Sequence, residues 1–204
     1  MKVICLGLGD RELCRQAATL HVRVIHHGLL PLLGVDFLTK MYRCVAAAPE
    51  AGVWALVDGD KFIGFIAGCA SVGRTYRWLM ANCGMGLAFT AGPALFRFTV
   101  LGKLASILLY PFRQRKALAT TPPPEAELLA IAIDENEYGK GYGKKLVDTL
   151  ERSLHQWGVR EYRVLTNIAE SKSNAFYRAT GFAPAGTIKH HALTLQVYRK
   201  HLAR

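Results

Sequence analysis

Apolar residues recur along this chain with two different periods, and each change of period marks an element. Val53 to Val57 and Phe62 to Cys69 are nearly continuous apolar runs joined by Asp58-Gly59-Asp60. Such a pair predicts two strands and a tight hairpin turn. Glu127 to Asp134 is a short apolar run between Pro124 and a polar cluster, which predicts a strand buried on both faces. Val3–Leu8 and Glu161–Thr166 read as further strands. A C-terminal pair over about 182–188 and 192–198 turns near His190-His191. Helical spacing takes over between these runs. Leu13, Ala17, Leu20, Val24 and Ile25 lie near one face of a helix that Asp10 can cap and that runs to about Leu29. Phe37, Met41, Cys44 and Val45 mark a second helix, ending before Pro49. Leu146, Val147, Leu150, Leu154 and Trp157 form one stripe of a third. Strands and helices interleaved in this way predict an α/β (α+β) domain.

The third helix starts in a glycine-rich turn, YGKGYGKK, directly after the Glu127 strand. Glycines at 139, 141 and 143 leave no Cβ in the path of a ligand approaching the backbone. Free N–H groups and the positive dipole end at the helix start make an anion site. Lys140, Lys144 and Lys145 add positive charge there. A Walker loop needs GxxxxGK[ST], which does not occur. A dinucleotide fingerprint needs a third glycine where Lys144 stands.

The order YGKGYG resembles the pyrophosphate loop of the GNAT superfamily, the acyl-CoA-dependent N-acyltransferases, whose pattern is [QR]xxGx[GA]. Tyr138 stands in the Gln/Arg position, a departure from that pattern. Downstream, NAFYRATGF over 174–182 resembles the family segment that carries a CoA-contacting Asn and a Tyr near the thioester sulfur. The resemblance runs from about Val53 to the C-terminus. It implies a central mixed, mostly antiparallel sheet of about seven strands flanked by helices. It also implies acetyl-CoA as co-substrate and a primary amine as acceptor, on a small molecule, an amino sugar or a lipid- or polymer-linked amine. The loop residues Tyr138, Gly139, Lys140, Gly141, Tyr142, Gly143 and Lys144 would hold the pyrophosphate, and Asn174 the CoA arm. Backbone groups of Ile131, Ala132 and Ile133 would pair with the pantetheine as an added strand does. Glu127 stands where several members carry a general base, and Tyr177 matches the tyrosine that serves the leaving sulfur. The helices before Pro49 would flank the acceptor, so His21, His26 and His27 are placed to touch it, although surface or satisfied histidines are the simpler reading. A non-catalytic acyl-CoA-binding regulator with the same fold is the alternative, as is a membrane-surface acyltransferase with longer acyl donors.

Composition sharpens this picture in three places. The 204 residues suffice for one domain over 1–204 carrying an insertion at 73–124. Net charge is +11, which suits an acidic partner such as CoA or an anionic surface. Five cysteines without CxxC spacing predict reduced, mostly buried thiols and a cytoplasmic setting. No histidine pair has metal spacing with a carboxylate, so no metal is expected. From Lys61 to Pro124 there is no Asp or Glu, against eight Lys and Arg. Leu79 to Phe96 is uncharged but holds Asn82, three glycines and Pro93, which argues against a spanning helix. A basic, hydrophobic helical insertion between strands 3 and 4 fits better. It would serve as a lid, as a homodimer interface, or, over 73–116, as a contact with an anionic membrane at its inner face. Nucleic acid is disfavoured, because the aromatics of the basic region sit in apolar runs and not in a polar groove.

Overall fold

The computed structural model describes residues 1–25, 28, 30–95, 124–190 and 193–202. Seven strands are present: β1 Lys2–Cys5, β2 Ala51–Asp58, β3 Lys61–Cys69, β4 Ala126–Ile133, β5 Glu161–Asn167, β6 Ala183–His190 and β7 Leu193–His201. The described α-helices are α1 Arg11–Val24, α2 Gly34–Ala47, α3 Val72–Leu95, α4 Tyr142–Gln156 and α5 Ser171–Ala179. The strands form one sheet in the order β1-β2-β3-β4-β5-β7-β6. All neighbours are antiparallel except β4 and β5. This is the mixed, mostly antiparallel seven-stranded sheet expected from the sequence.

The sheet has a separate core on each face. On one face Cys14, Ala17, Leu38, Tyr42 and Val45 of α1 and α2 pack over Val53, Phe65 and Ala132. On the other, Leu146, Val147, Leu150 and Leu154 of α4 are fully buried against Leu56, Ile66 and Leu128. These are four of the five residues of the stripe read from the sequence; the fifth, Trp157, is the C-cap of α4 and is partly buried. Each such side chain contributes roughly 2 kcal/mol by leaving water. Tyr177 and Phe182 extend this second core beneath α5.

Local differences from the sequence reading have local causes. Asp10 occupies the position before α1, but its carboxylate turns back to accept from the Gly7 N–H at 2.7 Å. The helix ends at Val24, because Ile25 is already extended (φ −100°, ψ 95°). His26, His27 and Leu29 lie outside the described residues. The cysteines are not all reduced. Cys44 of α2 and Cys83 of α3 form a disulfide, while Cys14 and Cys69 are buried free thiols and Cys5 is exposed.

Of the insertion, α3 is described and residues 96–123 are not. Leu79, Leu87 and Ala91 of α3 are buried, whereas Met80, Met85 and Phe89 are exposed. Among the described residues, no helix is long and apolar enough to cross a membrane.

Candidate active site

The site begins at an irregularity in β4. Gly68 of β3 faces Leu128 and Ala67 faces Ala130, so Leu129 is an extra residue on β4, a β-bulge. A bulge bends its strand and increases the local twist. On the opposite edge, β4 pairs with β5 from Ala126↔Tyr162 to Leu128↔Val164 and no further. On its other edge β5 pairs with β7 along its whole length, from Glu161↔His201 to Asn167↔Leu195. The two central strands therefore part at the bulge. The edge of β4 from Leu129 to Ile133 faces a gap without β5 as its partner.

A cleft of about 590 Å³ occupies that gap, within the usual size of a small-molecule site. It is lined by residues from both faces of the sheet. From α4 and α5 it is lined by Gly143, Lys172, Phe176 and Tyr177, and from the segment after β4 by Glu135 and Tyr138. On the α1 face it is lined by His21, Val24, Ile25, Gly28 and Leu30. Ile131, Ala132 and Ile133 form the wall between, where the sequence placed them.

The glycine loop stands at the α4 end. Gly139 and Gly141 have φ of +78° and +79°, a left-handed conformation that glycine adopts without strain. Gly141 is the N-cap of α4, and a Cβ at either position would point into open space. Gly143 serves a different purpose. A Cβ there would lie 2.8 Å from the Phe176 ring, so its absence lets α4 close on α5. The lysines contribute less free charge than the sequence suggests. Lys140 Nζ lies 2.9 Å from Glu137 Oε2, on a carboxylate that also holds Lys61, and Lys144 is 2.8 Å from Asp148. The anion site thus rests mainly on the N–H groups of Tyr142, Gly143 and Lys144 at the helix start. The open space over the two glycines and the free β4 edge fit a pyrophosphate with a pantetheine arm.

Tyr177 lines the cleft from α5, with its ring edge-on to Phe176 and Phe182 at 5.4 Å. Burial pushes its phenol well above the usual tyrosine range. The hydroxyl therefore stays protonated at neutral pH, the state a proton donor needs.

Two expected site residues are elsewhere. Glu127 does not line the cleft. It pairs with Arg163 across the parallel strands, Nε to Oε2 at 2.8 Å, and both side chains are buried. Desolvation pushes its carboxyl up, and Arg163 opposes the shift. A carboxylate engaged in this way, before the bulge, is a structural ion pair and not the base in the cleft. Asn174 is also turned inward. Its amide donates to the backbone oxygens of Asn167 and Glu170 at 2.9 and 2.7 Å, and its oxygen accepts from the Tyr198 hydroxyl at 3.0 Å. It fastens α5 to the end of β5 and does not reach the cleft wall.

The cleft brings forward His21. It is 3% exposed, and its ring stacks near Phe65. Nδ1 lies 2.5 Å from the Tyr42 hydroxyl, which leaves Nε2 as the ring nitrogen for the cleft. Its position on α1 could be read from the sequence, but its pairing with a residue 21 positions away on α2 could not. Burial lowers its pKa from 6.5 to about 4. The unfolded chain thus binds the proton more tightly, so native stability must fall as pH drops from 6.5 toward 4. The shift corresponds to roughly 3 kcal/mol at the acid end. A His21→Gln variant, compared with the parent by denaturant titration at pH 7 and pH 4, should lose less stability on acidification. Equal losses would show that another group governs the acid limb.

A sequence profile of the Acetyltransferase (GNAT) family matches residues 23–182. No curated protein matches the chain in sequence. Solved structures share the fold at low identity. Aminoglycoside 6'-acetyltransferase type Ii is 15% identical with a TM-score of 0.62, covering 100% of this chain and 99% of the other. A Desulfovibrio desulfuricans protein assigned to the GNAT acetyltransferases is 12% identical with a TM-score of 0.60, covering 99% of both chains. A Bacillus anthracis protein assigned as a streptothricin acetyltransferase, in complex with acetyl coenzyme A, is 12% identical with a TM-score of 0.51. That match covers 79% of this chain and 68% of the other.

The family match over residues 23–182 makes this an acyltransferase of the acetyl-transferring class. The chain belongs to the GNAT acetyltransferase family.

Proposed function

We propose that this protein transfers an acetyl group from acetyl-CoA to a primary amine by direct attack within a ternary complex. The observation that carries this reading is the gap between β4 and β5, lined by residues from both faces of the sheet. One substrate can lie along the β4 edge from the α4 loop while the other enters past α1. The thioester carbonyl then sits beside the bulge at Leu129, where a backbone N–H is well placed to stabilise the oxyanion. The amine attacks as its free base. The carbon–nitrogen bond forms and the carbon–sulfur bond breaks. The Tyr177 hydroxyl gives its proton to the departing sulfur, so CoA leaves as the thiol; the amide nitrogen releases one proton to solvent and the Tyr177 phenolate takes one back from solvent, which restores the phenol. Among the described residues no group of three metal-ligating side chains occurs, and no step above calls for one.

CoA release from acetyl-CoA, followed with a thiol reagent across a panel of amines, tests the reading. Tyr177→Phe keeps the ring packing and removes the donor. It should lower kcat about 10- to 100-fold while leaving acetyl-CoA affinity within about threefold. An unchanged kcat would assign sulfur protonation to another group.

A further inference from the structure

Tyr42 and His21 form a buried pair beside the cleft, and the pair fixes where the imidazole keeps its proton. Tyr42 is 1% exposed, and burial pushes its phenol up, so the hydroxyl holds its hydrogen. Among the described residues, His21 Nδ1 is the hydrogen-bond partner of that hydroxyl. His21 itself has a pKa lowered to about 4, so near pH 7 its ring carries one proton. A proton on Nδ1 would point at the Tyr42 oxygen and leave the phenol hydrogen buried without an acceptor, which is costly. A phenol that donates to Nδ1 satisfies both groups and puts the ring proton on Nε2. Nε2 has no partner among the described residues and is not sealed from solvent. The space it reaches is the cleft, which His21 lines together with Val24 and Ile25.

A donor in the cleft needs an acceptor. The attacking nitrogen is not suited to that part, because its lone pair goes to the thioester carbon. The thioester carbonyl is poorly placed for it. His21 packs on Phe65, whose register partner is Ala132. The carbonyl sits by the bulge at Leu129, three residues away, roughly 10 Å along the strand.

We propose that His21, oriented by Tyr42, donates from Nε2 to a second polar atom of the acceptor, so that the substrate is an amine that also carries a hydroxyl or carbonyl oxygen. This rests on the acyl-transfer reading above and narrows its acceptor. An amine without that oxygen covers Nε2–H and leaves it unpaired, a penalty that lasts through the transition state. Tyr42 acts through His21 and is a positioning residue.

The test compares three acceptors on one frame by CoA release at equal acetyl-CoA. They are 2-phenylethylamine, 2-amino-1-phenylethanol and phenylalaninamide, of which the first lacks the oxygen. The kcat/KM of the better oxygen-bearing amine should exceed that of 2-phenylethylamine by about tenfold or more. His21→Leu should narrow that ratio at least about fivefold, and Tyr42→Phe should narrow it in the same sense. His21→Gln, which keeps an N–H donor, should narrow it less than His21→Leu. Nitrogen NMR of protein labelled in histidine reads the tautomer directly, with the His21 signals assigned by their loss in His21→Gln. At pH 7 the parent should show a proton on Nε2 and none on Nδ1, and Tyr42→Phe should disturb that pattern. A proton on Nδ1 in the parent overturns the proposal, whether or not the variants fold. So does a parent that does not favour the oxygen-bearing amines, or an equal fall for all three amines in folded His21→Leu. Acetyl-CoA binding without CoA release across the whole panel of amines overturns the acyl-transfer reading itself, and the substrate assignment falls with it.

Discussion

Gly141→Val should abolish the stabilisation of the protein by acetyl-CoA. Gly141 has φ of +79° and caps α4, and the space beside its Cα is open. A valine there does two things. Its β-branched side chain is strained in the left-handed region, by roughly 1–2 kcal/mol. It also fills the space through which a phosphate must approach the N–H groups of the helix start. The parent protein should gain about 3 kcal/mol at a hundredfold excess of acetyl-CoA over its Kd, read as a rise in Tm. The variant should gain nothing measurable. Gly141→Ala separates the two effects, because it carries most of the backbone strain with less obstruction, so it should retain part of the shift. A valine variant that folds and is stabilised as strongly as the parent would show that the phosphates bind elsewhere.

The second large effect is on stability and not on chemistry. Glu127→Ala removes the carboxylate that faces the buried Arg163 guanidinium. Breaking one partner of a buried ion pair costs about 3–5 kcal/mol, which for a chain of this length lowers Tm by on the order of 10 °C. Per folded molecule, kcat should change little, because Glu127 does not line the cleft. The pair Glu127→Leu with Arg163→Met should recover most of the loss, since a matched apolar pair needs no solvation. A tenfold or larger fall in kcat, with Tm preserved, would return Glu127 to the chemistry.

The sequence and structure agree where one local pattern decides. Alternation and apolar runs located β2, β3 and β4 to within two residues, and four of the five residues of the α4 stripe are buried. The spacing of Gly139, Gly141 and Gly143 marked the loop because positive φ and close packing leave few other residues acceptable there. What the sequence could not show depends on register between distant segments. The bulge at Leu129 exists only relative to β3, and nothing in ELLAIAI marks the extra residue. Glu127 meets Arg163 through the parallel pairing of strands 36 positions apart. Asn174 meets Tyr198 and Cys44 meets Cys83 in the same long-range way. A motif can match while its side chain turns the other way, as Asn174 does, because hydrogen-bond partners are a property of the fold.

The passage between β4 and β5 also bears on kinetic order. A blind pocket forces the substrate bound first to cover the one bound second. In the ternary complex proposed above, the nucleotide thioester lies past the α4 loop and the amine past α1, each with its own approach. Neither needs the other to be absent on arrival, and either product can depart while its companion remains. Such a passage imposes no compulsory sequence of addition. If initial-rate patterns nevertheless show one, its cause is a change of shape on binding the first substrate, not obstruction.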